Sequence, residues 1–594
     1  MPSPLVTRMR RALALRPLPI LLALLAVMLA MPAVWTGWQQ DDLVQRFFLL
    51  GNAGAHGERQ SAIDMFGFLD GSSARNQELM DIGVLPWWTL PTLRISFWRP
   101  LSALSHCLDY VLWPQSGMLM HAQSLLWFAA LVAAAGFLYR RIMGAAWVAG
   151  LAALFFALDD AHGLAAGWLA NRNALIAGLF GVLALISHDR WRREAWKPGA
   201  FLVPAFLALA LLAGESAFAV CGYLFAYALF MESGDWRART VTLIPAAAVA
   251  TAWLLWYAAR GYGTSGSGFY VDPIAEPMEF LAAVAWKAPV LLADQWALPP
   301  SSIVLFVPDQ YRIFLVAWAL AVLALIGWFL VPLLRASRTA RFWAAGMILS
   351  IPLVCSTMPH GRLLLFAGIG AFGLVALWLE GLWSGAEWVP AKRAWRGGAR
   401  VMALAFILVH VLVAAASLPF NATSAAIGQR YIQGPAERYQ ATEEFRGQDF
   451  VILNHPVPFF AHYFHTARVL AGLPAPARVR VLAPGMVPLR IQRPDERTLV
   501  IRPEGGFLGS PFDVVFRSTA HPMEPGLRVA LEGMTVEIME VTGDGRPALA
   551  AFRFSRPLED PSLRWVRWEG EAYVPFELPG VGEEREIPAA ARLF

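Results

Sequence analysis

The stretch LPILLALLAVMLAMPAVWTGWQQDDLVQRF, residues 18–47, joins a long apolar run to a pair of acids, Asp41 and Asp42. Apolar runs of about 20 residues cross a bilayer. Arg8, Arg10, Arg11 and Arg16 stand before this one, and such basic residues mark the cytoplasmic end of a span. No small-x-small cleavage site closes the run, so it reads as an uncleaved first span rather than a signal peptide. The acid pair then emerges on the outer surface.

Working outward, the chain repeats the apolar theme. Its 594 residues are 57% hydrophobic and 15% charged, with a mean hydropathy of +0.50; soluble domains carry about 25% charged residues. The net charge of +5 is small, and its basic residues gather in short loops. That distribution reports topology and calls for no nucleic-acid partner. Cys107, Cys221 and Cys355 are widely spaced in apolar surroundings and read as small buried hydrophobes.

Further apolar runs lie near 119–139, 145–158, 164–187, 200–214, 217–232, 240–258, 313–334, 342–357, 363–380 and 401–419. If each is a span, Arg140, Arg193, Arg239, Arg338 and Lys392 all fall on the side of the N-terminus. This consistency predicts about 11 spans with a cytoplasmic N-terminus. The run PMEFLAAVAWKAPVLLADQWALPP, 277–300, carries Lys287, Asp294 and internal proline. Counting it as a span would put Arg335, Arg338 and Arg341 outside, so it reads as an outer interfacial helix. The segment from about 37 to 118 is a long outer loop. Within it, LSALSHCLDYVLW (101–113) sets apolar residues against Ser102, Ser105, His106 and Asp109 at helical spacing, which predicts an interfacial helix. Its Trp-rich neighbour VLPWWTLPTLRISFWRP (84–100) suits the headgroup zone.

From Asn421 the composition changes. DFVILNHP, ARVRVLAP, PLRIQRP, RTLVIRP, FDVVFR, LRVALEG, MTVEIMEV and LRWVRWEG read as short strands, and TGDG (542–545) as a hairpin turn. The fold class expected is therefore a polytopic α-helical membrane protein over 1–420, with an extracytoplasmic all-β domain over 421–594 related to a β-sandwich. That domain is expected to fold on its own from about residue 440. Asn421-Ala422-Thr423 matches a glycosylation sequon, a match chance explains equally well. In HPVPFFAHYFH, His462 and His465 stand at i, i+3 beyond His455. An aromatic amphipathic helix lying on the membrane is favoured there over a metal site.

With topology set by basic residues alone, the unusual polar residues can be placed independently. Asp41, Asp42, Asp159, Asp160, His162, Glu215, His360 and Arg362 fall at outer helix ends, and Arg172 and Asn173 lie about a dozen ångströms down the fourth span. A charge at that depth is costly and by default marks a functional interior. The bland alternatives are helix caps, a loop acid pair, and a snorkelling or ion-paired Arg172. Convergence on one face favours a site.

Several stretches carry a resemblance: the pair Asp41-Asp42, FWRPLSALSHCLDYVLW (97–113) before MHAQSLLWF (120–128), FALDDAHGLAAGWLANRNALIAGLF (156–180) and LALLAGESAFAV (209–220). In type and order they resemble the GT-C class of membrane glycosyltransferases. More narrowly they resemble the protein O-mannosyltransferase-like branch, as bacterial relatives of the membrane part of tetratricopeptide-bearing mannosyltransferases. The resemblance covers about 30–235. Relatives often carry Lys-Glu where Gly214-Glu215 stands and Pro-His where Asp160-Ala161-His162 stands, and the β-rich tail is outside the pattern.

The resemblance implies an enzyme that moves a hexose from a polyprenyl-phosphate carrier to an acceptor (protein, glycan or lipid) on the outer face of a bacterial inner membrane, with the tail periplasmic. It implies Asp41, or second Asp42, as base for the acceptor hydroxyl, and Arg172 and Arg362 as donor-phosphate ligands. Arg99, His106, His121, Asp159, Asp160, His162, Asn173, Glu215 and His360 are the pocket candidates. No cofactor is required by these residues, although a divalent metal on Asp41 and Asp42 is compatible with the class. A transporter would need midplane polar residues and an internal repeat. A non-catalytic envelope protein on the same scaffold is the other alternative.

Overall fold

The computed structural model describes residues 4–51 and 61–590; residues 1–3, 52–60 of the expected outer loop and 591–594 lie outside that description. Each apolar run forms a helix where the periodicity places it. In chain order these are α1 (Leu18–Ala30), α2 (Asp41–Leu49), α3 (Pro100–Leu112), α4 (Gly117–Ile142), α5 (Ala146–Leu158) and α6 (Arg172–Glu194). There follow α7 (Gly199–Ala213), α8 (Ala219–Phe230), α9 (Ile244–Ala259), α10 (Pro277–Asp294), α11 (Arg312–Ala336), α12 (Arg338–Val354) and α13 (Leu365–Ser384). A last helical stack runs from Arg393 through a π turn at Leu408–Val413 to Thr423.

About 11 spans were expected, and length and composition single out some of them. Among the described residues six helices are long and apolar enough to cross a membrane, or seven if α5 and its bent continuation Asp160–Gly167 count as one span. α7 and α9 contain 15 and 16 residues, about 22–24 Å at 1.5 Å per residue, short of the ~30 Å hydrocarbon core. α10, with Lys287 and Asp294 in its sequence, is not among the spans, in line with its interfacial reading.

α3 shows why periodicity without a third dimension misleads. Ser102, Ser105, His106 and Asp109 are the buried face, whereas Leu104, Leu108, Val111 and Leu112 are exposed. A helix against lipid turns its polar side inward, because hydrocarbon offers those groups no partner.

In the segment before α3, β1 (Gly67–Asp70) pairs with β2 (Arg94–Ser96), which in turn pairs with β3 (Gly263–Ser265) just after α9. The C-terminal part contains two larger sheets. One is antiparallel, ordered β13-β6-β7-β10-β9-β8, from β6 (Leu489–Gln492), β7 (Thr498–Pro503), β8 (Arg528–Leu531), β9 (Met534–Val541), β10 (Pro547–Phe554) and β13 (Glu584–Ile587). The other, β12-β11-β4-β5, places β4 (Asp449–His455) parallel to both β5 (Arg478–Pro484) and β11 (Leu563–Glu569), with β12 (Ala572–Pro575) at its edge.

The expected strands and the TGDG hairpin between β9 and β10 are present. One expected strand is not. FDVVFR instead makes a tight turn at Asp513–Val515, with Phe516 O accepting from Leu90 N at 2.9 Å. The HPVPFFAHYFH stretch forms neither a membrane-lying helix nor a metal site. It supplies α14 (Pro458–Ala461) and leads into α15 (Phe464–Leu470), the crossover between parallel β4 and β5. His455, His462 and His465 hydrogen-bond the carbonyls of Val457, Gly83 and Pro476.

The two sheets share a core, as a sandwich would. Alternation then sends Phe450 and Ile452 of β4 to the opposite face, where Phe464 and Ala467 of α15 cover them. The shared core is completed by the segment before α3: Leu69, Met80, Leu85, Trp87, Trp88, Leu93 and Ile95 pack among the strands. Trp87 and Trp88 are therefore core residues, each 3% exposed, and not headgroup anchors. Gly83 sits at φ +81°, where a Cβ would come within 1.8 Å of Val479 O, so the helix preceding it can only abut β5 as glycine.

The tail was expected to fold on its own from about residue 440; its core is shared with the segment before α3. Removing two buried tryptophans costs roughly 3–5 kcal/mol each. Residues 440–594 expressed alone should bind a hydrophobic dye and melt without cooperativity, and joining 62–98 to them should restore a cooperative transition by circular dichroism. A sharp melt of the tail alone would show that the shared aromatic core is dispensable.

Candidate active site

The acid pair opens α2, and its two members part company there. Asp42 is 2% exposed. Its Oδ2 accepts from Gln39 N at 3.0 Å and its Oδ1 from Ala170 N at 2.7 Å, tying α2 to the loop before α6. Burial pushes its carboxyl up to about 8 against the pull of those two bonds. Arg46, one turn further along α2, lies 3.8 Å over Trp38 and donates to Pro114 O and Gln115 Oε1, locking the helix in place.

Asp41 is turned the other way, into a cavity of about 380 Å³ lined by helix ends, the segment before α3 and the loop after α9. One oxygen, Oδ1, accepts from the Tyr463 hydroxyl at 3.2 Å. Burial raises its carboxyl above the ordinary range, opposed by the Tyr463 bond and by the positive charges of Arg362 and Arg99. Arg362 also lines the cavity. His360 Nδ1 accepts from its backbone N–H at 3.1 Å and so shapes the turn. The guanidinium stands 5.4 Å over the Trp168 ring, and among the described residues no acceptor holds it. Arg99 lies opposite in chemistry: its Nε and Nη2 both meet Glu215 Oε2, at 2.8 and 2.7 Å, leaving Glu215 Oε1 without a partner. Asn173 completes the polar lining, beside Tyr257 and Tyr270.

Arg172 does not reach this cavity. It is fully buried, with Nη1 2.6 Å from Asp109 Oδ2. Nε donates to Ser124 Oγ at 2.8 Å and Nη2 to Met120 O at 2.8 Å, while Nη1 also meets Ser105 and Gln123. Every arm is spent on α3 and α4, and among the described residues none is left over for an anion.

Of the pocket candidates, Arg99, Asn173 and Glu215 line the cavity; six others do not. His106 is buried beside Phe66, and His121 hydrogen-bonds Gly37 O at 2.8 Å. His162 Nε2 lies 3.8 Å from Asp159 Oδ2, beyond hydrogen-bond distance, and its ring is 4.5 Å from Phe156. Asp160 Oδ2 accepts from Asn421 Nδ2 at 2.9 Å, which also engages the sequon asparagine. His360 acts through the turn it shapes. Sequence reading missed Trp168, Tyr257, Tyr270 and Tyr463. Trp168 lay inside a quoted motif; Tyr463 carried no signal, since only the crossover between β4 and β5 brings it to Asp41.

Both Asp42 oxygens already accept from backbone N–H groups. Among the described residues no group of three or more His, Cys, Asp or Glu is placed to hold a metal ion.

No family model and no curated protein matches the chain. Among solved structures it is similar to the Archaeoglobus fulgidus oligosaccharyltransferase, tethered with an acceptor peptide containing the NVT sequon, at TM-score 0.41 and 11% identity over 78% of this chain. The chain spans 63% of the length of that protein. It is also similar to ArnT from Cupriavidus metallidurans in the apo state, at TM-score 0.33 and 15% identity, over 71% of this chain and 82% of that one.

Proposed function

We propose that this protein is a GT-C-class membrane glycosyltransferase that moves a hexose from a polyprenyl-phosphate carrier to an acceptor hydroxyl at the outer face of a bacterial inner membrane. The observation that carries the reading is that Asp41 and an unengaged Arg362 line one cavity, whose wall turns apolar through Phe218, Leu254, Leu353, Val354 and Phe366. An anion bearing a lipid tail fits such a boundary. The acceptor oxygen attacks the anomeric carbon as Asp41 takes its proton. The bond from that carbon to the phosphate oxygen breaks, and the polyprenyl phosphate leaves with the electron pair. Arg362 stabilises the departing charge; as a planar, permanently charged fork it suits phosphate. Arg99, fixed by Glu215, adds positive potential without being free to wander.

The test is Arg362→Lys and Arg362→Ala in membranes supplied with labelled polyprenyl-phosphate hexose, following sugar that leaves the lipid pool. Loss of an anion-stabilising donor costs about 10²–10³ in turnover. The Ala variant should fall in that range and the Lys variant between it and the parent. Transfer at the parent rate by Arg362→Ala would remove the phosphate from this site.

A further inference from the structure

We propose that Tyr463 is a positioning residue for Asp41, so that the C-terminal domain completes the reactive centre; the inference rests on the glycosyltransferase reading. The Tyr463 hydroxyl donates to Asp41 Oδ1 at 3.2 Å, from the turn between α14 and α15 rather than from any membrane helix. The contact is built in from both sides. Leu43, two residues after Asp41, is 3% exposed within the cluster formed by Phe450, Phe464, Ala467 and Tyr463 itself. Tyr463 is 6% exposed, and a Tyr hydroxyl buried so deeply needs a partner. α2 thus presents one face to the sheet-covering helices and its first acid to the cavity.

The consequence is a division of labour on one carboxylate. Oδ1 is held, which fixes the rotation of the carboxylate and leaves Oδ2 for the proton of an incoming hydroxyl. A carboxylate without that restraint can swing, and catalytic groups displaced by even an ångström lose rate steeply. The bond also favours the charged form of Asp41. The other charged or titratable groups felt by Asp41 are Arg362, Arg99, Asp42 and Tyr270, and none of these changes when the Tyr463 hydroxyl is removed.

The experiment is Tyr463→Phe in the full chain, which deletes one oxygen and keeps the ring packing on Phe459. Two readouts are taken. The first needs no substrate: a hydrophobic carbodiimide, which modifies protonated carboxyls, is applied across pH, and labelling of Asp41 is followed by peptide mass spectrometry. The midpoint should move upward in Tyr463→Phe. The second is transfer from labelled polyprenyl-phosphate hexose, where turnover should fall about 10-fold with donor KM unchanged and the acid limb displaced the same way. In an Asp41→Asn background the Tyr463→Phe change should have no further effect on transfer.

An unshifted labelling midpoint together with parent turnover would overturn the proposal while leaving the glycosyltransferase reading intact. Full transfer by Asp41→Asn would instead sink that reading, whatever Tyr463 does. A fall in turnover with no shift in either pH profile, matched by a lower melting temperature, would reduce Tyr463 to a packing residue.

Discussion

Asp41→Asn is expected to abolish transfer, with turnover down about 10²–10⁴-fold, the range for loss of a general base. The carboxamide keeps the shape and can still accept from Tyr463, but it cannot take a proton. Donor affinity and melting temperature should stay close to the parent. Asp42→Asn should do the opposite. Asn has one acceptor oxygen where Asp42 uses two, so either Gln39 N or Ala170 N loses its partner, at about 1–3 kcal/mol for a buried donor. The acid pair is therefore separable by two assays, transfer and melting in detergent.

The pH dependence follows from burial. Asp41 is held above the ordinary carboxylate range, and a base works only when deprotonated. The transfer rate should rise with pH through a midpoint above about 4, the free Asp value, and lose that limb in Asp41→Asn. Parent-rate transfer by Asp41→Asn would refute the mechanism; loss of transfer by Asp42→Asn at full stability would exchange the roles of the two acids.

Arg172→Leu carries the other large effect, and it falls on stability. Removing one partner of a buried pair leaves the second charge without compensation, at roughly 3–5 kcal/mol. Asp109, fully buried on α3, would be that stranded charge, and the acceptors on Ser105, Ser124 and Met120 would lose donors as well. Yield and detergent melting temperature should drop sharply. The double change Arg172→Leu with Asp109→Leu should recover much of the loss, because apolar replacements of a buried pair are often neutral. Transfer per folded molecule should remain. A stable Arg172→Leu protein without transfer would return Arg172 to the donor phosphate.

Much of the architecture was legible in residue pattern alone. Apolar runs located the helices, because a backbone in hydrocarbon must satisfy its own hydrogen bonds and does so within each segment. Alternation and turn residues located most strands, and TGDG located its hairpin, since both signals are local. Asp41 and Arg362 were also legible, as charges at outer helix ends that nothing local explains. Sequence by itself thus determined most of the helices and strands, and which polar residues need a partner once buried.

The tertiary structure decided which of those residues meet. Asp41 and Asp42 are adjacent in sequence, yet a helix turns neighbouring side chains by about 100°, sending one to the cavity and the other to Ala170. Arg172 looked catalytic because its charge is buried, and its partner Asp109 lies 63 positions earlier on another helix. Trp87 and Trp88 belong to a core whose strands begin more than 300 residues later, and Tyr463 reaches Asp41 across 422 positions. Such pairings cost loop-closure entropy that is repaid only by packing in the folded chain. Local pattern carries the strength of each preference for burial, but the partner that satisfies it exists only once the chain has closed.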